Sequence, residues 1–356
     1  TRLVGSEMCI RDSVGRISEI ISSTDSVAGD DLYLSIDADL QKATYLALQN
    51  EIAAIVYSNI KSGEIPINDV YTALIGNSVI NTEHFSKAKA SDTEKNVLSV
   101  FKSRQKTTLG KIKQELTSSP EALNTMSDEV LDEFTYIISM LKDDQVLLKN
   151  EIDTSDSVYQ KWKNQKISPK EYLGYCITQH WIDISQLNVD EKYADSTEVY
   201  DALCKYILKN IKTDTEFSKI IYQYMITRGE ISPRQLCLIL FDQGVLDYDD
   251  ATVNKLKNGS LSPRDFLMKK IYNIEITPAQ LALEPCIGSC VVTDEKTGEI
   301  RAMVSYPGYD SNKLANGVDS EYFASLQHDK SSPLLNYATV SYTHLRAHET
   351  RSNLVC

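Results

Sequence analysis

Five Ser-Pro or Thr-Pro pairs punctuate the middle of the chain, and they begin at Ser119, Ser168, Ser232, Ser262 and Thr277. A Ser or Thr hydroxyl accepts a hydrogen bond from the first turn of a helix. Pro is favoured at the first helical position, because the N–H it lacks would have no partner there. Amphipathic segments follow several of these pairs. The pattern therefore predicts an all-α segment over residues 61–281.

A strand and a long helix are predicted before this helical segment. Asp31–Ile36 (D-L-Y-L-S-I) alternates polar and apolar residues and is rich in strand formers. Asp37 follows as the predicted N-cap of a helix. Apolar residues then recur at helical spacing from Leu40 to about Ile60.

A β-hairpin is predicted after the helical segment. Gly288–Thr293 and Glu299–Tyr306 both have strand patterns, and the turn between them needs a positive φ at Gly298. A short helix is expected near Glu321–Leu326. The predicted fold class is α+β and predominantly α, in which a strand, a helix and a β-hairpin are interrupted by an all-α insertion.

The two ends of the chain are related at the level of DNA. Leu3–Ser13 back-translates into a string whose reverse complement, read in another frame, encodes Val340–Glu349. The string also resembles a sequencing-library adapter. Unrelated stretches of one protein have no reason to be inverted complements, so we expect both tails to be non-native. The predicted organisation is a tail at 1–13, a first domain segment at 14–60, the insertion at 61–281, a second domain segment at 282–339 and a tail at 340–356.

Charge and composition exclude several classes of protein. Lys plus Arg number 37 against 50 Asp plus Glu, so the formal net charge is −13, whereas a nucleic-acid binder needs a basic face. The sequence has no run of about 18 apolar residues, and residues 1–13 do not have the pattern of a signal peptide. Outside the tails, His84, His180 and His328 are far apart. We therefore predict neither a metal site nor a cofactor.

Five cysteines lie outside the tails, and they are Cys176, Cys204, Cys237, Cys286 and Cys290. An odd number without C-x-x-C spacing predicts neither a zinc site nor a complete disulfide framework. Cys286 and Cys290 could pair if their Cβ atoms approach. Unpaired, partly buried thiols are the favoured interpretation.

Three phrases in the flanking segments are similar to phrases that occur in the same order in one known family. S-I-D-x-x-L-Q begins at Ser35, G-S-C-V-V-T-D-E-K-T-G-E-I-R-A-M-V-S-Y-P-G-Y-D-S-N covers Gly288–Asn312, and S-P-L-L-N-Y-A-T covers Ser332–Thr339. In this order they resemble the start of the transpeptidase domain of class B penicillin-binding proteins, which cross-link peptidoglycan. The resemblance extends over roughly 100 residues, which makes it more specific than any single motif.

The chain departs from the family phrases at three positions. Ser35 stands where Thr is usual, Ser311 where Pro is common, and Tyr337 where the family has Arg. The change at Tyr337 removes a basic group beside the approach to the family's active site.

The resemblance implies acyl transfer. In the family, the Ser of an S-x-x-K motif attacks the D-Ala-D-Ala carbonyl of a stem peptide, Lys assists its deprotonation, and backbone N–H groups hold the oxyanion. β-Lactams stop the reaction at the acylated stage. The motif is expected just beyond Thr339, so no catalytic residue is assigned within this chain. The chain by itself is predicted to be inactive.

Matches to the family motifs elsewhere in the chain are interpreted as structural. S-x-x-K also occurs at Ser58, Ser86 and Ser103, outside the family frame, where exposed helix surface is the favoured interpretation. K-T-G begins at Lys296, ahead of the expected nucleophile, and is interpreted as part of the hairpin turn.

Two further functions stay open beside the transpeptidase. One is a non-catalytic scaffold whose helical insertion binds a division or elongation protein, and the other is a β-lactam sensor domain of the same fold. The resemblance also implies a location on the outer face of the cell membrane. The N-terminal transmembrane helix that would anchor the protein there is expected before Val14.

Overall fold

The computed structural model describes residues 3–11, 17–28, 33–118, 121–187, 189, 195–315 and 318–340. The described residues are mostly helical, with two small two-stranded sheets. The prediction of a predominantly α, α+β fold is therefore confirmed.

The described residues form four strands and fourteen α-helices. The strands are β1 (Leu3–Arg11), β2 (Ile17–Ala28), β3 (Gly288–Thr293) and β4 (Ile300–Tyr306). The helices are α1 (Ala38–Ser62), α2 (Ile67–Gly76), α3 (Asp92–Thr117), α4 (Asp128–Asp143), α5 (Ser157–Lys163), α6 (Pro169–Thr178), α7 (Ser196–Ile211), α8 (Thr215–Thr227), α9 (Pro233–Asp242), α10 (Asp250–Asn258), α11 (Pro263–Tyr272), α12 (Pro278–Leu281), α13 (Ser320–His328) and α14 (Tyr337–Val340).

The chain is divided into two compact units. One consists of Leu48–Gly288 and Tyr306–Tyr337 and contains most of the helices. The other includes the chain up to Ala47 and Ser289–Ser305. The domain boundaries expected from the sequence stay predictions.

Ser-Pro and Thr-Pro pairs begin the helices as predicted. The hydroxyls of Ser168, Ser232, Ser262 and Thr277 each accept a hydrogen bond from the backbone N–H three residues on, at 3.1 to 3.3 Å. Pro occupies the first turn of each of these helices, which are α6, α9, α11 and α12. The pair at Ser119 lies outside the described residues.

Aromatic rings and aliphatic side chains fill the core of the helical unit. Phe101 and Tyr222 stack with ring centroids 4.2 Å apart, and Trp162 stacks on Tyr172 at 4.4 Å. Such offset ring pairs stabilise a core beyond the apolar area they bury. Four turns among the connections are single-turn 3₁₀ helices, at Thr82–Ser86, Leu123–Thr125, Ile184–Gln186 and Ser311–Lys313.

The prediction of a first strand at Asp31–Ile36 was wrong for the residues that the structure describes. Residues 33–36 have irregular backbone, and Asp31 and Leu32 lie outside the described residues. Tyr33 is 91% exposed and Leu34 70% exposed, so these two apolar side chains are not covered by a neighbouring element. Alternating hydrophobicity produces a strand only where one face is buried and a neighbour completes the ladder.

Each of the two small sheets has two strands. β1 pairs antiparallel with β2, from Leu3 opposite Ala28 to Arg11 opposite Ile17, with irregular register in between. β3 pairs with β4 in the hairpin predicted from the sequence. The turn of that hairpin has Gly298 at φ 74°.

Candidate functional site

The first two of the phrases that resemble the transpeptidases meet at β4, where the chain before α1 lies against the strand. The Ser35 hydroxyl donates a hydrogen bond to the Ile300 carbonyl at 2.8 Å. The Asp37 backbone N–H donates to the Arg301 carbonyl at 2.9 Å. Two positions of the first phrase therefore satisfy backbone carbonyls of the second.

Gln41 continues this contact one turn into α1. Its side-chain Nε2 donates to the Met303 carbonyl at 2.6 Å, and its Oε1 accepts from the Met303 N–H at 2.8 Å. An amide side chain carries one donor end and one acceptor end, so it matches both polar groups of a single backbone residue. Gln41 thus satisfies the backbone N–H and carbonyl of Met303 in β4, as the backbone of a neighbouring strand would.

Asp37 is the N-cap of α1, as predicted. Its Oδ1 accepts hydrogen bonds from the N–H groups of Asp39 and Leu40, both at 3.0 Å. The other carboxylate oxygen lies 4.0 Å from the Arg301 guanidinium. Both groups are well exposed, so the ion pair contributes little, and the carboxylate acts mainly as a cap.

The K-T-G triplet lies in the hairpin turn. The Asp294 carboxylate accepts hydrogen bonds from the backbone N–H groups of Lys296 and Thr297, at 2.8 and 3.1 Å, and these bonds lower its pKa. The triplet is exposed. The interpretation of these residues as a turn is confirmed.

The serines of the three S-x-x-K motifs are exposed, as are their lysines. The motifs begin at Ser58 in α1, at Ser86 at the end of a 3₁₀ turn, and at Ser103 in α3. The S-x-x-K motif expected beyond Thr339 stays a prediction, because residues after Val340 lie outside the described part of the chain.

The position where the family has Arg is occupied by a half-buried tyrosine. The Tyr337 hydroxyl donates to the Ser331 carbonyl at 3.0 Å, and burial raises its pKa. Tyr337 therefore fixes the backbone of the loop before α14, a role that needs no charge.

The described residues contain neither a cluster of metal ligands nor a disulfide bond. No group of three or more His, Cys, Asp or Glu side chains there could hold a metal ion. The cysteines Cys176, Cys204, Cys237, Cys286 and Cys290 are free thiols, as favoured from the sequence. Burial raises the pKa of Cys176 and of Cys237 to about 12, so neither forms the reactive thiolate at neutral pH.

A buried charge cluster in the helical unit was missed from the sequence. The Glu129 carboxylate, 3% exposed, accepts hydrogen bonds from the guanidinium groups of Arg104 at 2.8 Å and Arg228 at 2.6 Å. Glu230 lies 3.5 Å from the other terminal nitrogen of Arg104. These groups come from α3, α4 and the end of α8, so the cluster ties three helices together.

Glu133 lies one turn along α4 from Glu129 and is 2% exposed. Burial, and then the negative charge of Glu129, raise its pKa to about 8. Sequence spacing contained the signal, because Glu133 is four residues before Ile137 and eight before Leu141, on the apolar stripe of the helix. The cluster pairs the guanidinium groups of Arg104 and Arg228 with the carboxylates of Glu129 and Glu230, so we interpret it as a structural contact between helices.

A third buried carboxylate, Glu94, belongs to a separate network. It forms a capping box with Ser91 at the start of α3. It also accepts a hydrogen bond from the Gln243 side-chain amide at 2.8 Å and lies 2.7 Å from Nδ1 of His84. Every oxygen of this carboxylate is thus engaged in holding α3, α9 and the 3₁₀ turn at Thr82–Ser86.

Comparison with known proteins found similar short segments in one class of protein. Over short segments the chain is similar to peptidoglycan D,D-transpeptidases, and it is related to them there. It is 45% identical to MrdA of Escherichia coli K12 over 49 residues, which are 14% of this chain and 8% of that protein. It is 46% identical to PbpA of Mycolicibacterium smegmatis over 57 residues, 15% of this chain and 12% of that protein. MrdA of Haemophilus influenzae is 42% identical over 52 residues, 15% of this chain and 8% of the relative.

The match covers a small part of each of these relatives. No protein-family model matches the chain, and no solved structure matches it. Among the described residues, no helix is both long enough and apolar enough to cross a bilayer.

Proposed function

We propose that the chain is part of a class B penicillin-binding protein, a serine D,D-transpeptidase that cross-links the stem peptides of peptidoglycan. The similarity to MrdA and PbpA carries this proposal. The contacts of Ser35, Asp37 and Gln41 with β4 support it, because they give the family-like phrases a common structural task.

In this proposal the described residues build the support of the active site. The hairpin and the cap of α1 belong to the sheet behind the nucleophile. The Ser of an S-x-x-K motif, encoded beyond Thr339, attacks the D-Ala-D-Ala carbonyl and expels the terminal D-Ala. The amine of a neighbouring stem peptide then attacks the acyl-enzyme, which releases the serine hydroxyl and forms the cross-link. A β-lactam acylates the same serine. The chain as given is inactive and does not bind penicillin covalently.

The helical segment is proposed to be an insertion into the transpeptidase domain that serves a division or elongation partner. The parent protein is placed on the outer face of the cell membrane, held by a transmembrane helix encoded before Val14. A non-catalytic scaffold and a β-lactam sensor are the alternatives.

The test begins with the gene. Primers placed within the codons of residues 33–339 are used to read outwards from the source DNA across both junctions. We expect the coding sequence to replace the two adapter-like tails and to show S-x-x-K soon after Thr339. A complete gene without that motif would support the scaffold, and a signalling region upstream would support the sensor.

Labelling with a fluorescent penicillin then tests the chemistry. The completed protein is expected to be labelled, its Ser→Ala variant at the new motif is not, and the present chain is not. Covalent labelling of the present chain that is lost in Ser58→Ala, Ser86→Ala or Ser103→Ala would contradict the placement of the nucleophile.

A further inference from the structure

A groove of about 480 Å³ runs between the end of α1 and α11 in the helical unit. One wall of the groove is formed by Tyr57 and Lys61 of α1, which are one turn apart. The other wall is formed by residues of α11, which are Arg264, Asp265, Met268, Lys269 and Tyr272. Residues four apart lie on one face of a helix, so each wall is a continuous stripe.

The floor of this groove is aromatic and apolar. Tyr57 and Tyr272 meet edge to face with ring centroids 5.2 Å apart, although Tyr272 remains 59% exposed. Met268 is 5% exposed beneath them. Tyr, Met and Arg are the residue types enriched in the centres of protein–protein interfaces, and Met adapts its shape to what packs on it.

The rim of the groove is basic although the chain as a whole is acidic. Lys61, Arg264 and Lys269 surround it with a single carboxylate, Asp265. Arg264 donates one hydrogen bond to the Ile60 carbonyl at 3.3 Å. Within the described residues none of the three cations forms an ion pair, so the groove presents unneutralised positive charge to solvent.

The segment from Asp247 to Asp250, which is the end of the loop before α10 and the first residue of that helix, is acidic and aromatic and so complements the basic groove. Asp247, Tyr248, Asp249 and Asp250 are all exposed, and the Tyr248 ring is 61% exposed. Asp249 is engaged as the N-cap of α10, where it accepts from the N–H of Ala251 at 3.1 Å. The carboxylates of Asp247 and Asp250 form no ion pair among the described residues. The segment therefore offers two free negative charges on either side of an exposed aromatic ring.

We propose that the groove between α1 and α11 binds the Asp247–Asp250 segment of a second copy of this chain. The Tyr248 ring packs on Tyr57, Met268 and Tyr272, and the two carboxylates face Lys61 and Lys269. Copies with a net charge of −13 repel each other at long range. That repulsion is screened beyond about 10 Å at 0.1 M salt, whereas closely apposed pairs are screened much less.

Reciprocal charge reversal tests this contact. Sedimentation velocity on the full chain over a concentration series is expected to show reversible association in about 0.1 M salt that weakens in about 1 M salt. Lys61→Glu/Lys269→Glu and Asp247→Lys/Asp250→Lys are each expected to raise the dimer dissociation constant at least about tenfold. An equimolar mixture of the two variants is expected to associate again, because each supplies the charge that the other lacks.

A matched double variant on α3, Lys102→Glu/Lys106→Glu, changes the net charge equally and is expected to leave association unchanged. Circular dichroism melting of every variant verifies the fold. A wild-type chain that stays monomeric at high concentration would overturn the proposal, as would a mixture of the reversed variants that fails to associate. Binding of a labelled peptide of residues 244–253 to a chain that stays monomeric would assign the groove to an acidic segment of another protein, and would also overturn it.

Discussion

Gln41 holds both backbone polar groups of Met303, a residue 262 positions later in the chain. Nε2 donates to the carbonyl at 2.6 Å and Oε1 accepts from the N–H at 2.8 Å. One side chain therefore joins β4 to the start of α1. The described sheet has no third strand at this position. The family-like phrases at Gln41 and Met303 are thus two halves of one structural contact.

Replacing Gln41 tests this contact directly. Gln41→Ala leaves a partly buried donor and acceptor unsatisfied, so the free energy of unfolding is expected to fall by about 1–3 kcal/mol. Hydrogen exchange at the Met303 amide is expected to accelerate. Lys42→Ala, at the next and exposed position of α1, is the control and is expected to leave both unchanged. Unaltered protection of Met303 in Gln41→Ala would contradict the contact.

Removing one partner of the buried charge cluster is expected to lower the free energy of unfolding by more than a typical surface or hydrogen-bond substitution does. Arg104→Met leaves the Glu129 carboxylate with Arg228 alone in a buried site. The expected loss of stability is about 3 kcal/mol, because an incompletely paired charge remains out of water. Urea denaturation measures it. Lys106→Met, an exposed position of the same helix, is expected to stay within about 0.5 kcal/mol of wild type.

Glu133 makes stability depend on pH. Its pKa in the folded protein is raised to about 8 from an ordinary value of 4.5, because burial and the charge of Glu129 disfavour ionisation. The folded state then binds more protons than the unfolded state between these two values. Its stabilising contribution is full below about pH 4.5 and is lost as the pH rises through 8, with a limiting slope of about 1.4 kcal/mol per pH unit.

Denaturation at a series of pH values, with and without the substitution Glu133→Gln, measures this contribution. The variant cannot ionise, so its stability is expected to fall less between pH 5 and pH 8, and to exceed that of the wild type at the upper end. Glu51→Gln, exposed on α1, is expected to follow the wild-type curve. Parallel curves for wild type and Glu133→Gln would show that Glu133 is ionised in the folded state.

Removing a Ser-Pro cap is expected to lower the free energy of unfolding by the amount typical of a helix N-cap. Ser262→Ala removes the hydroxyl that accepts from the Asp265 N–H at 3.1 Å, and is expected to cost about 1 kcal/mol. Ser103→Ala, exposed inside α3, removes no cap and is expected to be neutral or slightly stabilising. Thermal melts of the two variants side by side distinguish a cap from an exposed helical serine. Equal melting temperatures would contradict the role of Ser262.

Local signals predicted the elements whose stabilising contacts are themselves local. Ser168, Ser232, Ser262 and Thr277 begin helices because each cap is completed three residues away. The hairpin turn follows from Asp294 and Gly298 within five consecutive residues. Asp37 capped α1 for the same reason.

Only the tertiary structure decided the contacts between residues far apart in the sequence. Glu129 is 25 residues from Arg104 and 99 from Arg228, and no local pattern specifies which cations reach it. The segment at 33–36 has a strand's alternation, but it meets β4 through the Ser35 side chain and not through a backbone ladder, so it is not a strand. The sequence by itself determined where the helices begin and where the hairpin turns, because a cap or a turn is satisfied within a few residues. Burial and long-range pairing depend on which elements pack together, and packing alone decided the Gln41–Met303 contact and the charged cluster.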